Sequence, residues 1–274
     1  MVKARKRFGQ HFLEPAWVVK VVDAVAPLPT DRIIEIGPGR AALTEPLAAR
    51  VERLLAVEVD RDLAAALTAR QLPNVTVVTA DVLDVDVGDL ARRELDATPD
   101  RKARVVGNLP YNISSPILFR LLDAASTTSV LKDATLMLQK EVADRLIAEP
   151  GTGEYGVLSI LTALGASVTR VLTLPPGAFR PMPKVQSAVV RLTFRAPAVA
   201  VADDKVLVQL VRSVFTQRRK TLSNALANFA ASRGRDAKQA LAAAGIDPSR
   251  RPETLQLVEF ARLADSFAGG EPGR

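Results

Sequence analysis

Short apolar runs rich in Val, Ile and Leu alternate through the first two thirds of the chain with stretches whose apolar positions recur at helical spacing. This alternation is the pattern of a parallel sheet covered by helices on both faces. It predicts strands at residues 32–37 (RIIEIG), 53–60 (RLLAVEVD), 75–81 (VTVVTAD), 103–108 (ARVVGN) and 134–140 (ATLMLQK). Helices are expected between them, for example at 43–50 and 61–70, the second capped by Asp60. A helix at 155–166 precedes strands at 168–174 and 186–194. About a dozen proline-rich residues join those two strands, too few for a helical crossover, so they are expected to form an antiparallel hairpin at the sheet edge. After a linker at 195–204, Ala, Leu and charged residues recur at helical spacing to about Phe267. The pattern divides the chain into an α/β domain, 1–202, and a small all-helical domain, 203–274.

Composition narrows the chemistry. The 274 residues include no cysteine and one histidine, which excludes a thiolate nucleophile, a disulfide, a cysteine-based zinc or iron–sulfur site and a histidine-rich metal site. No metal is expected. The basic start MVKARKR lacks the apolar core of a signal peptide, and no uncharged apolar run approaches the length of a membrane span. A cytoplasmic location, no membrane partner and a monomer are the expectations. The net charge of +7 and a pI of about 10.0 favour a polyanionic partner. Lys6 and Arg7 lie in the basic start, Arg180, Lys184, Arg191 and Arg195 gather around one loop and strand, and QRRK places Arg218, Arg219 and Lys220 in a segment read as helical. Residues from Asp203 onward carry net +4 and the first 202 carry +3, so the tail is the more basic part per residue.

Two motifs carry candidate chemistry. EIGPGRAALT puts Gly37 and Gly39 on a strand-to-helix turn, where missing side chains let a ligand approach the backbone. Pro38 removes a backbone N–H from that turn, which argues against a pyrophosphate cradle and for a single nucleoside. Glu58, at the end of the second strand, is placed to accept hydrogen bonds from ribose hydroxyls, and Asp81, ending the third, to meet an adenine amine. The set resembles the S-adenosylmethionine site of class I methyltransferases. The second motif, GNLPYNIS, follows the fourth strand, which a 3-2-1-4-5 strand order sets beside the first at the topological switch point. There the Asn108 side-chain carbonyl and the Leu109 backbone carbonyl would accept the two N–H groups of an adenine amine and steer its lone pair at a methyl group. Pro110 would fix the turn. Tyr111 would stack on an extruded base, a contact worth about 1 to 3 kcal/mol.

These segments, with KRFGQHFL, LQKEVADRL, FRPMPKVQSAVVRL and QRRKTLSNAL, resemble in family order the ribosomal small-subunit RNA adenine dimethyltransferases of the KsgA/RsmA type. The resemblance implies a Rossmann-like class I methyltransferase fold: a mostly parallel seven-stranded sheet with an antiparallel last strand, plus a small helical RNA-binding domain. It implies transfer of methyl groups from S-adenosylmethionine to N6 of two adjacent adenosines in the 3'-terminal hairpin loop of 16S rRNA, in the immature 30S subunit, leaving S-adenosylhomocysteine. Cofactor contacts would fall on His11, Leu13, Gly37, Gly39, Glu58, Asp81 and Asn108. Asn108 to Tyr111 would form the acceptor site, with Phe179 as a second aromatic face opposite Tyr111. Three positions depart from the family pattern: His11 where Asn is frequent, Ala41 and Ala42 where many adenine methyltransferases have a glycine, and Gln186 where Asp is usual. The alternatives are the sister group that methylates large-subunit RNA, an assembly factor with a vestigial methyl site, and, weakened by Pro38, an NAD oxidoreductase.

Overall fold

Residues 11–268 are described here from a computed structural model. Its two compact units are residues up to Ala143 together with Ala166–Ala196, and Asp144–Gly165 together with Pro197 onward.

In the first unit the chain runs β1 (Phe12–Leu13), α1 (Pro15–Val25), β2 (Arg32–Ile36), α2 (Thr44–Ala48), β3 (Arg53–Glu58), α3 (Arg61–Thr68), β4 (Val75–Thr79), α4 (Val87–Leu95), β5 (Ala103–Asn108), α5 (Ser114–Thr128) and β6 (Leu131–Gln139). Helix α6 (Lys140–Leu146) spans the division, and α7 (Val157–Gly165) belongs to the second unit. Strands β7 (Ala166–Leu174), β8 (Phe179–Arg180) and β9 (Ser187–Phe194) return to the first. The main sheet has the order β4-β3-β2-β5-β6-β9-β7. Strands β2 to β6 pair in parallel, and β9 lies antiparallel between β6 and β7. The expected edge hairpin is therefore present as β7 and β9. β1 and β8 form a separate two-stranded ladder in which Leu13 pairs with Phe179.

Every residue of β2 is buried, as covered parallel strands require. Ile33, Ile34, Leu54 and Leu55 are inaccessible to solvent, each contributing about 1.5 to 3 kcal/mol by burial. Asp60 caps α3 as expected, its carboxylate accepting from Asp62 N. The amino ends of the strands carry a closed ionic network. Arg104 bonds Asp31 at 2.7 Å and both Asp133 oxygens at 3.0 Å, and donates to the Val25 and Ala26 carbonyls at the end of α1. Burial works against its charge, but Asp133 and Asp31 outweigh that and raise its pKa.

The second unit adds α8 (Asp204–Thr216), α9 (Leu222–Ala231), α10 (Ala237–Ala243) and α11 (Leu257–Ala268). Phe215, Phe260 and Tyr155 pack as aromatic neighbours, and the Tyr155 hydroxyl donates to the Leu255 carbonyl at 2.9 Å. These contacts differ from the boundary of 1–202 and 203–274 read from the sequence. Residues 144–165 join the helical unit because α7 packs on α8 and α11, a long-range choice that local periodicity does not encode.

Candidate active site

The carboxyl ends of β2, β3 and β5 and the turn after β4 open on a cleft of about 260 Å³. Its floor is the glycine turn. Gly37 and Gly39 both have positive φ, 68° and 59°, the region that favours glycine. A Cβ at Gly37 would meet nothing within 4 Å, so the space above the turn is open to a ligand. Glu58 reaches across from β3: one carboxylate oxygen accepts from Gly39 N and the other from Asp60 N, each at 2.9 Å. Burial raises its pKa above the ordinary carboxylate range, and those two N–H bonds pull it partly back. Asp81 lines the same cleft with one oxygen accepting from Leu83 N at 2.9 Å. Leu13, though buried, also lines it.

The second motif forms the adjoining wall. Asn108 Nδ2 donates to the His11 carbonyl at 2.9 Å. Because a carbonyl can only accept, this bond sets the amide orientation and leaves Oδ1 as the acceptor Asn108 has to offer. At the His11 position the backbone carbonyl makes this contact, while the imidazole Nδ1 lies 2.7 Å from the Pro181 carbonyl. Leu109 N donates to Met137 O at 3.2 Å, tying the motif to β6. Pro110 lines the cleft. Tyr111 is half-buried. Its hydroxyl pairs with Ser187 Oγ at 2.7 Å and its ring stacks on His11 with centroids 5.5 Å apart. Burial raises the phenol pKa and the Ser187 bond opposes this.

Phe179 corrects the expectation of an aromatic sandwich. It is fully buried among Leu13, Leu174 and Val189, so it presents no face to a base in this geometry. The cause is the β1–β8 ladder, which seats its side chain in the core; the ring beside Tyr111 is His11. Glu35 was not singled out from the sequence, although a lone acid inside an otherwise apolar strand is the signal that marks it. It is buried in the cleft wall with Oε2 lacking a hydrogen-bond partner. Burial, opposed by Thr44 and reinforced by Glu58, raises its pKa to about 7.

The candidate RNA contacts divide. Lys6 and Arg7 lie outside the described residues. Lys184 is exposed, whereas Arg180, also exposed, pairs with Glu14 at 3.5 Å. Arg191 donates to carbonyls at the end of α1 and is structural. QRRK forms the turn between α8 and α9 instead of a helix. Arg219 and Lys220 are exposed there, but Arg218 is half-buried and donates to the Gly153 and Thr152 carbonyls. Gln186, exposed before β9, accepts from Lys140 N through its backbone. Among the described residues no group of three or more His, Cys, Asp or Glu could hold a metal, and no helix is long and apolar enough to cross a membrane.

The model of the family described as ribosomal RNA adenine dimethylase matches residues 1–268. The chain belongs to that family. Among relatives of this dimethylase, ribosomal RNA small subunit methyltransferase A of Acinetobacter baylyi is 49% identical over 97% of this chain and 93% of its own. The Geobacter metallireducens protein of the same name is 46% identical over 96% and 95%. The dimethylase fold is also that of 23S rRNA methyltransferase ErmE, with a TM-score of 0.65, 26% identity and coverage of 93% of this chain and 99% of that one. A dimethyladenosine transferase from Plasmodium falciparum superposes with a TM-score of 0.73 at 24% identity, covering 92% and 96%. The sheet order and the antiparallel β9 are those of a class I methyltransferase.

Proposed function

We propose that this rRNA adenine dimethyltransferase takes methyl groups from S-adenosylmethionine and places them on N6 of two adjacent adenosines in the 3'-terminal hairpin loop of 16S rRNA, within the immature 30S subunit in the cytoplasm. The observation that carries the reading is the meeting of two motifs at one sheet edge, where the glycine turn with Glu58 and the Asn108–Tyr111 wall line a single cleft. The identity of 43–49% to small-subunit enzymes, against 26% to ErmE, favours the small-subunit substrate.

The residues fit the donor. Open space above Gly37 suits a ligand lying on the backbone, Glu58 retains lone pairs for ribose hydroxyls after its two amide bonds, and Asp81 keeps one oxygen for an adenine amine. S-adenosylmethionine supplies a methyl group already activated on a sulfonium. Asn108 Oδ1 and the Leu109 carbonyl accept the N6 hydrogens of the target, which turns the nitrogen lone pair out of conjugation and toward the cleft. The N6 proton passes to water as the bond to carbon forms. Tyr111, held by Ser187, gives the base a stacking face. The exposed cations Lys184, Arg219 and Lys220 are assigned to RNA phosphates, with Lys6 and Arg7 as further candidates.

Mass mapping of adenosines after incubation with undermethylated 30S particles tests the proposal. Dimethylation at two adjacent adenosines near the 3' end is expected; methylation of naked 23S RNA with none on the particles would overturn it.

A further inference from the structure

Glu35 takes no part in the glycine turn, the amide acceptor or the stacking wall, yet it lies in the wall of the same cleft. The residue is 2% exposed and its Oε2 has no partner. Three elements surround it. On β3, Ala56 is its register partner and Glu58 lies two residues further on; on β5 the register partner is Val106; α2 brings Thr44. Glu58 is the charged group that bears on it, and no lysine or arginine among the described residues pairs with either acid. An isolated buried carboxyl avoids the cost of a desolvated charge by keeping its proton, and a second acid nearby strengthens that preference.

The donor and product of the proposed reaction differ by one unit of charge within the cleft that Glu35 lines. The donor carries a sulfonium and an ammonium against one carboxylate. After the S–C bond breaks and leaves its electron pair on sulfur, the product is a neutral zwitterion. We infer that Glu35 senses this difference: the cationic donor drives its carboxyl to give its proton to solvent, whereas the neutral product leaves the carboxyl ionised to the same degree as in the free protein, so that the cleft favours donor over product. The inference rests on the donor reading above and adds a positioning and discriminating role for a residue that the two motifs leave unused. Burial holds the Glu35 pKa at about 7. Below that pH the donor must drive the ionisation, and above it the carboxylate is already formed. Donor affinity therefore rises with pH through this range while product affinity stays level.

Calorimetric titration of the purified full chain with S-adenosylmethionine and with S-adenosylhomocysteine, between pH 6 and 8.5 and in buffers of different ionisation enthalpy, tests this. Donor binding is expected to tighten by roughly tenfold across the range, with proton release near neutral pH, and product binding to change by less than about twofold. In Glu35→Gln the pH dependence of donor binding should disappear while product affinity, which reports an intact cleft, is retained. Equal proton release with both ligands, a level donor affinity in the parent chain, or an unchanged pH dependence in Glu35→Gln would overturn the inference alone. Binding of neither nucleoside would overturn the donor reading as well. If the variant does not fold, the difference between the two ligands on the parent chain decides the matter.

Discussion

The two edges of the main sheet bury charge in opposite ways. At the amino ends of the strands, Arg104 is matched by Asp31 and Asp133 and also satisfies the last carbonyls of α1, so every buried charge there has its counterpart. At the carboxyl ends, Glu35 and Glu58 are buried without an ion pair among the described residues, and one oxygen of Glu35 bonds nothing. The first edge is organised for stability. The second holds unmatched acids in a cleft, an arrangement that costs stability and that the proposed cationic donor would complete.

Breaking the matched edge should have the largest effect on stability. Arg104→Met leaves two buried carboxylates without their cation and should destabilise the protein by about 3 to 5 kcal/mol in denaturant unfolding. At the other edge, Asn108→Ala should lower kcat/KM for undermethylated particles by roughly a hundredfold, since the acceptor nitrogen loses its aim. Its melting temperature should barely move.

Glu35→Gln sharpens the contrast between the edges. A carboxyl whose folded pKa is about 7 against an ordinary 4.5 binds more proton when folded, so stability falls as pH rises between those values. The parent chain should lose up to about 3 kcal/mol over that window. The glutamine variant lacks this loss, and should be the more stable protein at pH 8 and no more stable at pH 4.5, as read from urea unfolding at the two pH values. The smallest effect concerns the glycine turn. Ala41 sits at φ 65°, a left-handed conformation that glycine adopts without strain, yet its methyl is buried. Relief of strain and loss of burial nearly cancel, so Ala41→Gly should change stability by less than about 1 kcal/mol, measurable by the same unfolding curves.

Much of this was legible in the chain. Apolar runs bounded by glycine and acidic residues located the strands and their carboxyl ends, and Asp60 marked the start of α3. The strand order then brought the two motifs together. What escaped depends on contacts between distant residues. Phe179 reads as a free aromatic until Leu13 pairs with it in a two-residue ladder and seats it in the core. Arg218 reads as a phosphate contact until the Gly153 and Thr152 carbonyls claim it. Residues 144–165 carry no local mark of the unit they join. Glu35 was visible as a charge in a buried strand, but its missing partner is a fact of three dimensions.

Determining the structure with S-adenosylmethionine bound tests the central claim most directly. The account predicts the nucleoside lying over Gly37, with its ribose on Glu58, its adenine amine at Asp81 and its sulfonium facing Asn108. A ligand bound away from this cleft, or one in it whose sulfonium points away from Asn108, would contradict it.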